Sequence, residues 1–144
     1  MRIAILSRNK NLYSTQRLVE AAEQRGHEAL LLDHMKCTLV IEAGRPHIYH
    51  GGKEITDVNA VIPRIGSSVT FYGAAVVRQF EMMKIFTAVE SQALVRSRDK
   101  LRSLQILARA GIGMPKTAFA NKTSDIDSLI ESIGGAPCIV KLLE

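Results

Sequence analysis

The sequence contains few cysteines, no long apolar run and no repeated segment. Cys37 and Cys138 lie far apart and match no metal-binding or redox spacing, so both are expected to be reduced thiols of a cytoplasmic protein. No apolar run approaches the roughly 20 residues that a transmembrane helix needs. The apolar start Ile3–Leu6 is too short for a signal peptide, and Arg8 and Lys10 follow it at once. The absence of repeats and of low-complexity segments excludes solenoid and fibrous architectures.

What is present is the composition of a small globular protein with a moderately basic charge. Hydrophobic residues make up 47% of the 144 residues, which is enough for a core, and the formal net charge is +5. A basic charge of this size is compatible with nucleic acid, an acidic protein tail or phosphate ligands. Phosphates account for it as well as nucleic acid does. Direct binding to nucleic acid is not expected.

The first part of the chain follows a strand–helix–strand pattern. Ile3–Leu6 is predicted to be a buried strand, Ser14 the N-cap of a helix that ends near Arg25, and Gly26 the stop. Glu28–Asp33 is the next predicted strand. Such a unit forms parallel strands joined by a right-handed crossover.

A small β insert is predicted next. Cys37–Glu42 and His47–His50 are short strand candidates, and the pair Gly51-Gly52 is typical of a two-residue hairpin turn. Three histidines in and beside this region lack convincing metal spacing, so we expect them to face solvent: His34, His47 and His50.

The pattern then returns to strand and helix. Asn59–Arg64 is predicted to be a third parallel strand, and a helix is predicted from about Thr70 to Met83. Its apolar residues recur at helical spacing and predict a buried stripe of Phe71, Ala74, Val77 and Phe80. Ile85–Val89 is a further short strand. The predicted fold is α/β, a doubly wound and mostly parallel sheet with the β insert outside it.

A new pattern starts near Val95–Arg98, which we predict to separate one domain, 1–95, from the start of another, 96–144. The second part is predicted to hold a helix capped by Ser97, a strand at Lys116–Ala120, a helix after Ser124, and a last strand. That last strand contains Cys138, Ile139, Val140, Leu142 and Leu143. Because it runs to the final residue, the chain is expected to be part of a longer polypeptide.

Two lysines are candidate ligands of phosphate groups. Lys100 lies near a predicted helix N-terminus, where backbone N–H groups and the helix dipole favour anions. Lys141 lies within the last apolar run, where an ammonium needs either an anionic partner or an exit to water. Spacing alone also permits an edge-strand lysine that extends its head into solvent, and a solvated helix face for Lys100.

The turn after the third parallel strand is a candidate anion site. It lies at the carboxyl edge of the sheet, where open α/β sheets bind ligands. Gly66 would allow close backbone approach, Ser67, Ser68 and Val69 would supply N–H groups, and Arg64 would add a two-pronged donor for a carboxylate. A helix cap beside a surface arginine is the alternative interpretation.

Several motifs resemble those of ATP-grasp enzymes. Three stretches of the second part come in the order found at the entrance to the central domain of an ATP-grasp ligase: Arg98-Asp99-Lys100-Leu101, Leu107–Thr117 and Pro137–Lys141. Three stretches of the first part closely resemble the RimK-type α-L-glutamate ligases: Met1–Arg8, Val61–Gly66 with Phe71-Tyr72-Gly73, and Arg78–Met82. The similarity covers essentially the whole chain. One departure is Val89, where the family often has Asn.

The resemblance implies a function and a set of ligands. It implies a pre-ATP-grasp domain followed by the first α/β elements of an ATP-grasp domain, and an enzyme that adds glutamate to the C-terminal tail of a small-subunit ribosomal protein. ATP and Mg²⁺ (or Mn²⁺) would serve the full-length enzyme, with Lys100 and Lys141 contacting the ATP phosphates. A homo-oligomer is expected, with no membrane association.

The resemblance also implies that residues 1–144 do not act alone. The family's glycine-rich loop and its magnesium ligands would follow Glu144, so no catalytic and no metal-binding residue is expected within these residues. The alternative class is a non-catalytic α/β module that binds a peptide or oligomerises.

Overall fold

The computed structural model describes residues 1–122, 124 and 126–141. These residues form two compact units, residues 1–98 and the residues from Asp99 onward, and each unit is considered separately. The strands are β1 (Arg2–Leu6), β2 (Glu28–Leu32), β3 (Cys37–Val40), β4 (His47–His50), β5 (Lys53–Glu54), β6 (Ala60–Pro63) and β7 (Phe86–Thr87). The helices are α1 (Tyr13–Gln24), α2 (Thr70–Met82), α3 (Ser91–Arg98), α4 (Lys100–Arg109) and α5 (Ile126–Ile133).

The first unit is built on a four-stranded parallel sheet. Its strand order is β2-β1-β6-β7, and Ile3 lies between Ala29 on one side and Ala60 on the other. From β1 to β2 the chain moves toward one edge of the sheet, and from β6 to β7 it moves toward the other edge. Right-handed crossovers therefore place α1 and α2 on opposite faces, which confirms the predicted doubly wound fold.

The main core lies between this sheet and α2. Ala4 and Leu6 of β1 pack in one cluster with Val61 of β6 and with Val77 and Phe80 of α2. All five side chains are at most 1% exposed. Ile5 is also fully buried, and strand alternation places it on the opposite face of the sheet.

The predicted β insert is present and forms a separate antiparallel sheet, in the order β3-β4-β5. Gly51 and Gly52 connect the last two of its strands, both with positive φ, as a tight hairpin turn requires. Two side chains of α2 bind the insert: the Tyr72 hydroxyl donates to the Cys37 carbonyl at 2.7 Å, and the Gln79 amide donates to the carbonyls of Val40 and His47.

Three details of the first unit correct the sequence predictions. Helix α1 begins at Tyr13 with Leu12 at the N-cap, so Ser14 lies inside the first turn and does not cap. Phe71 is 90% exposed, because the buried face of α2 begins at Gly73 instead. Helix α3 is an additional helix that the sequence pattern did not predict.

His34 also differs from its prediction. It lies in a short 3-10 helix, His34–Lys36, directly after β2, and it is 0% exposed rather than facing solvent. Neither ring nitrogen has a hydrogen-bond partner within the described part of the chain. Burial is the main cause that lowers the pKa of His34; the Asp33 carboxylate opposes this shift and Arg8 adds to it. We therefore expect a neutral imidazole.

In the second unit, the helices are present but the strands are not. Asp99, not Ser97, caps α4: its carboxylate accepts from the Arg102 N–H at 2.9 Å. Lys116–Ala120 and residues 138–141 have no regular structure, so the predicted strands are wrong there. The described residues of this unit contain no strand with which these segments could pair, and a strand needs such a neighbour for its backbone hydrogen bonds. Leu142 and Leu143 lie outside the described residues.

Among the described residues, no helix combines the length and apolar character that crossing a membrane requires.

Candidate functional site

The candidate site of the first unit lies where the strand order reverses. β1 has β2 on one side and β6 on the other, so the loops after β1 and β6 leave the sheet side by side at its carboxyl edge. Open α/β sheets bind ligands at this position. The two loops are Ser7–Asn11, which contains Arg8 and Lys10 and no acidic residue, and Arg64–Ser68. Both the position and the charge favour an anionic ligand.

Backbone and side-chain hydrogen bonds fix the start of both loops. The Ser7 N–H donates to the Leu32 carbonyl and the Arg64 N–H to the Leu6 carbonyl, both at 2.9 Å, so the sheet pattern continues one residue past each strand. The Ser7 and Thr15 hydroxyls, 3.0 Å apart and both buried, join the β1 loop to the first turn of α1.

Arg64 has a defined side-chain partner. Its Nη2 donates to the Ser14 hydroxyl at 3.0 Å, and the residue itself is exposed. The guanidinium therefore crosses from the β6 loop to α1, the helix that follows the β1 loop. Ser14 is a functional candidate that sequence reasoning missed, because a serine at the start of a helix resembles a capping residue.

The turn after Arg64 differs in two ways from the prediction. Gly66 has φ −73°, which any residue can adopt, and a Cβ there would meet only Val69 Cγ2, at 4.0 Å. Among the residues that the structure describes, nothing therefore requires glycine at that position. The Val69 N–H already donates to the Gly66 carbonyl at 3.3 Å within the 3-10 helix Ser67–Val69, so the N–H groups of Ser67 and Ser68 remain as the candidates for a ligand.

The glycine that this turn does require is Gly73 in α2. A Cβ on Gly73 would overlap the Cγ2 atom of Ile65 and lie 3.1 Å from its Cδ1. Glycine inside a helix costs about 1 kcal/mol relative to alanine. A glycine inside a predicted helix was therefore the signal in the sequence for this close contact. The helix accepts that cost where a neighbouring side chain leaves no room for a Cβ atom.

Cys37 lies close to His34 in the sequence but has little chemical reactivity. It is buried, and its thiol donates to the Asp33 carbonyl at 3.6 Å. Burial, with a smaller contribution from the Asp33 carboxylate, raises the pKa of Cys37 to about 11. A thiol that stays protonated is a poor nucleophile. Among the described residues, no group of three or more His, Cys, Asp or Glu side chains could hold a metal ion.

The two candidate phosphate ligands belong to the second unit. Lys100 is the first residue of α4, directly after its cap Asp99, so it stands at the positive end of the helix dipole. Lys141 is the last residue of the described range 126–141 and lies in an irregular, exposed segment beside Val140, which is 86% exposed. The phosphate contacts of both lysines remain predictions.

Two protein-family models match this chain. Residues 1–94 match the RimK PreATP-grasp domain and residues 97–144 the RimK-like ATP-grasp domain. Over all 144 residues the chain is 57% identical to a probable alpha-L-glutamate ligase of Aliivibrio fischeri and 59% identical to one of Nitrosococcus oceani. The chain spans 48% of the length of each of these relatives.

Solved structures share the fold at lower identity. A RimK domain ATP-grasp protein from Sphaerobacter thermophilus has a TM-score of 0.66 at 23% identity, covering 93% of this chain and 47% of that one. The ATP-grasp ligase PsnB, complexed with a minimal precursor, has a TM-score of 0.68 at 17% identity, covering 92% of this chain and 50% of that one. The family resemblance seen in the sequence is confirmed: this chain belongs to the RimK family of ATP-grasp proteins.

Proposed function

We propose that this chain forms part of an ATP-dependent ligase that adds glutamate to the acidic C-terminal tail of a small-subunit ribosomal protein. The observation that carries this proposal is the identity of 57% over the whole chain with proteins named as probable alpha-L-glutamate ligases. Because the chain spans about half of their length, the activity is that of the longer protein.

The proposed chemistry joins a carboxylate to an amine in two steps. A carboxylate oxygen of the acceptor attacks the terminal phosphorus of ATP, which gives an acyl phosphate and releases ADP. The amine of glutamate then attacks the acyl carbon, the C–O bond to phosphate breaks, and the amine loses a proton as the amide forms. Both steps depend on bringing reactants together and on neutralising negative charge.

Mg²⁺ or Mn²⁺, when bound, would neutralise phosphate charge in such a reaction. The described residues contain no group of three or more His, Cys, Asp or Glu side chains that could hold the metal ion. We therefore assign no part of the metal-dependent chemistry to them. The role that we propose for this chain is substrate binding.

We assign the carboxylate-binding role to Arg64, Gly66, Ser67 and Ser68. The reversal of strand order at this edge, the nearby Arg8 and the Ser14-bound guanidinium support that assignment. We assign Lys100 and Lys141 to the ATP phosphates. The position of Lys100 at the start of α4 supports its assignment.

We also propose that the enzyme works in the cytoplasm as a homo-oligomer and binds no nucleic acid. The free thiols of Cys37 and Cys138 support a reducing compartment. Binding to phosphate groups and to an acidic tail would account for the basic charge of the chain. The charge therefore does not require binding to nucleic acid.

The test is ligation by the full-length enzyme. The enzyme is incubated with ATP, glutamate and the ribosomal protein, and mass spectrometry is used to detect mass increments of one glutamate residue. A second acceptor that lacks the C-terminal tail serves as the control. Increments on the intact acceptor alone would support the proposal, whereas no increment on either acceptor would contradict it.

A further inference from the structure

The carbonyl of Ile65, inside the candidate carboxylate-binding turn, is held by a distant arginine. Arg98 Nη2 donates to this carbonyl at 2.8 Å, across 33 positions of sequence, in a part-buried contact. Ile65 itself is only 7% exposed, and its side chain lies against Gly73. The peptide between Arg64 and Gly66 is therefore fixed on one side by side-chain packing and on the other by the guanidinium of Arg98.

Arg98 can hold this peptide because its own helix is anchored. Helix α3 packs against α2. At its start, both carboxylate oxygens of Glu81 accept hydrogen bonds from Ser91: one from the backbone N–H at 2.6 Å and one from the hydroxyl at 2.7 Å. At its end, Arg98 reaches the turn. A helix anchored at its start and packed against α2 gives the guanidinium at its other end a defined position.

We propose that Arg98 is a positioning residue for the carboxylate-binding turn, an inference that rests on the proposed function. By holding the Ile65 carbonyl, Arg98 sets the direction in which Arg64 leaves the sheet and the orientation of the N–H groups that follow it. Ser14 holds the end of the Arg64 side chain, and Arg98 holds the backbone carbonyl of the next residue, Ile65. Both contacts orient the guanidinium before a carboxylate arrives.

Two variants of the full-length enzyme separate this role from simple packing. Arg98→Met keeps most of the aliphatic stem and removes every donor, whereas Arg98→Lys keeps one donor for the Ile65 carbonyl. We expect Arg98→Met to raise KM for one carboxylate substrate, glutamate or the acceptor tail, about tenfold, the effect of losing one hydrogen bond. Arg98→Lys should recover most of this loss, and KM for ATP should stay unchanged. The matched control is Arg78→Met, which removes an exposed arginine from α2.

A double variant tests whether Arg98 acts through Arg64. If it does, Arg98→Met combined with Arg64→Lys should be little worse than Arg64→Lys alone, because the two changes affect one arrangement. Additive effects would overturn the proposal. So would equal losses in Arg98→Met and Arg98→Lys, or a raised KM for ATP alone. The substrate whose KM rises identifies which carboxylate the turn binds.

Hydrogen exchange provides a readout that does not depend on ligation. The Val69 N–H, bonded to the Gly66 carbonyl, should exchange faster in Arg98→Met than in the wild-type protein, and Arg98→Lys should restore its protection. Unchanged exchange would show that Arg98 does not hold the turn. If the enzyme ligates no glutamate but shows this exchange pattern, the proposed function is wrong, whereas the positioning role of Arg98 still holds.

Discussion

At the scale of single residues, Gly73 links the packing of α2 to the candidate site. Because a Cβ there would overlap Ile65, we expect Gly73→Ala to destabilise the protein by about 1–3 kcal/mol, the usual cost of overpacking, even though alanine favours a helix. Urea unfolding measures the change. Gly66→Ala is the matched control: its Cβ would meet nothing within 3.4 Å, so stability should be nearly unchanged. Equal stability of the Gly73→Ala and wild-type proteins would contradict this account of Gly73.

Arg64 offers a direct test of the carboxylate-binding role. Arg64→Lys keeps the positive charge but loses the planar pair of donors that a carboxylate accepts. In the full-length enzyme we expect KM for glutamate or for the acceptor to rise about tenfold or more, with KM for ATP little changed. The assignment is wrong if steady-state kinetics show an effect on ATP only, or no effect.

His34 predicts a dependence of stability on pH. Its pKa is lowered in the folded protein, so the unfolded chain binds more protons at mildly acidic pH. Above the unfolded-state pKa of about 6.5, titration of His34 therefore does not lower the free energy of unfolding. Below that pH, the free energy of unfolding decreases as the pH falls. The slope can reach at most about 1.4 kcal/mol per pH unit for this one group.

Comparison of wild type with His34→Leu isolates this contribution. The free energy of unfolding of the wild type should fall more steeply than that of the variant between about pH 7 and pH 5. The two other groups that affect the His34 titration, Asp33 and Arg8, are present in both proteins. Parallel pH profiles would show that His34 does not contribute.

At the scale of helices and strands, the start of α4 and the segment around Lys141 provide the test of ATP binding. If both lysines contact phosphates, Lys100→Ala and Lys141→Ala in the full-length enzyme should each lower ligation at least about tenfold, the effect of losing a hydrogen bond to a charged group. Circular dichroism should show unchanged folding. Lys141→Met tests the alternative of a lysine that merely extends into solvent, because such a residue would tolerate this change with near-normal activity.

The sequence predicted the elements whose signals are local. The strand–helix–strand pattern at Ile3–Asp33, the Gly51-Gly52 hairpin and the span of α2 all follow from short-range periodicity and turn residues, and the structure confirms them. The carboxyl-edge position of Arg64 followed from the same pattern, because it depends only on the order of parallel strands. The structure places Arg64 at the end of β6, next to the β1 loop.

The errors concern features that depend on distant partners. Residues 138–141 have a strand-like sequence, yet the described residues of their unit supply no neighbouring strand. His34 gave no local sign of burial, because burial depends on the packing of other elements around it. The contacts of Arg64 with Ser14 and of Arg98 with Ile65 span 50 and 33 positions, and a single sequence gives no signal for such pairs.

At the scale of the whole molecule, the length of the chain sets an expectation for activity. Since residues 1–144 span 48% of the curated relatives, we expect these residues alone to show no ATP-dependent ligation of glutamate. Their affinity for ATP should be very weak, because one or two lysines provide charge without an enclosed pocket. Isothermal titration calorimetry tests this, and micromolar ATP binding would contradict it. The full-length enzyme under the same conditions is the control.

The hydrogen bonds of Gln79 to the insert have a consequence for how this protein can change. Its amide holds Val40, where β3 ends, and His47, where β4 begins, at 2.9 and 3.1 Å. The ends of the segment between them, residues 41–46, are therefore joined twice: by the pairing of β3 with β4 and by a side chain of a helix outside the insert. Lengthening a closed flexible loop is inexpensive, at about 0.6 kcal/mol for each doubling. This segment is thus a suitable insertion site, where evolution could add residues or where a fluorescent reporter could be inserted into the protein.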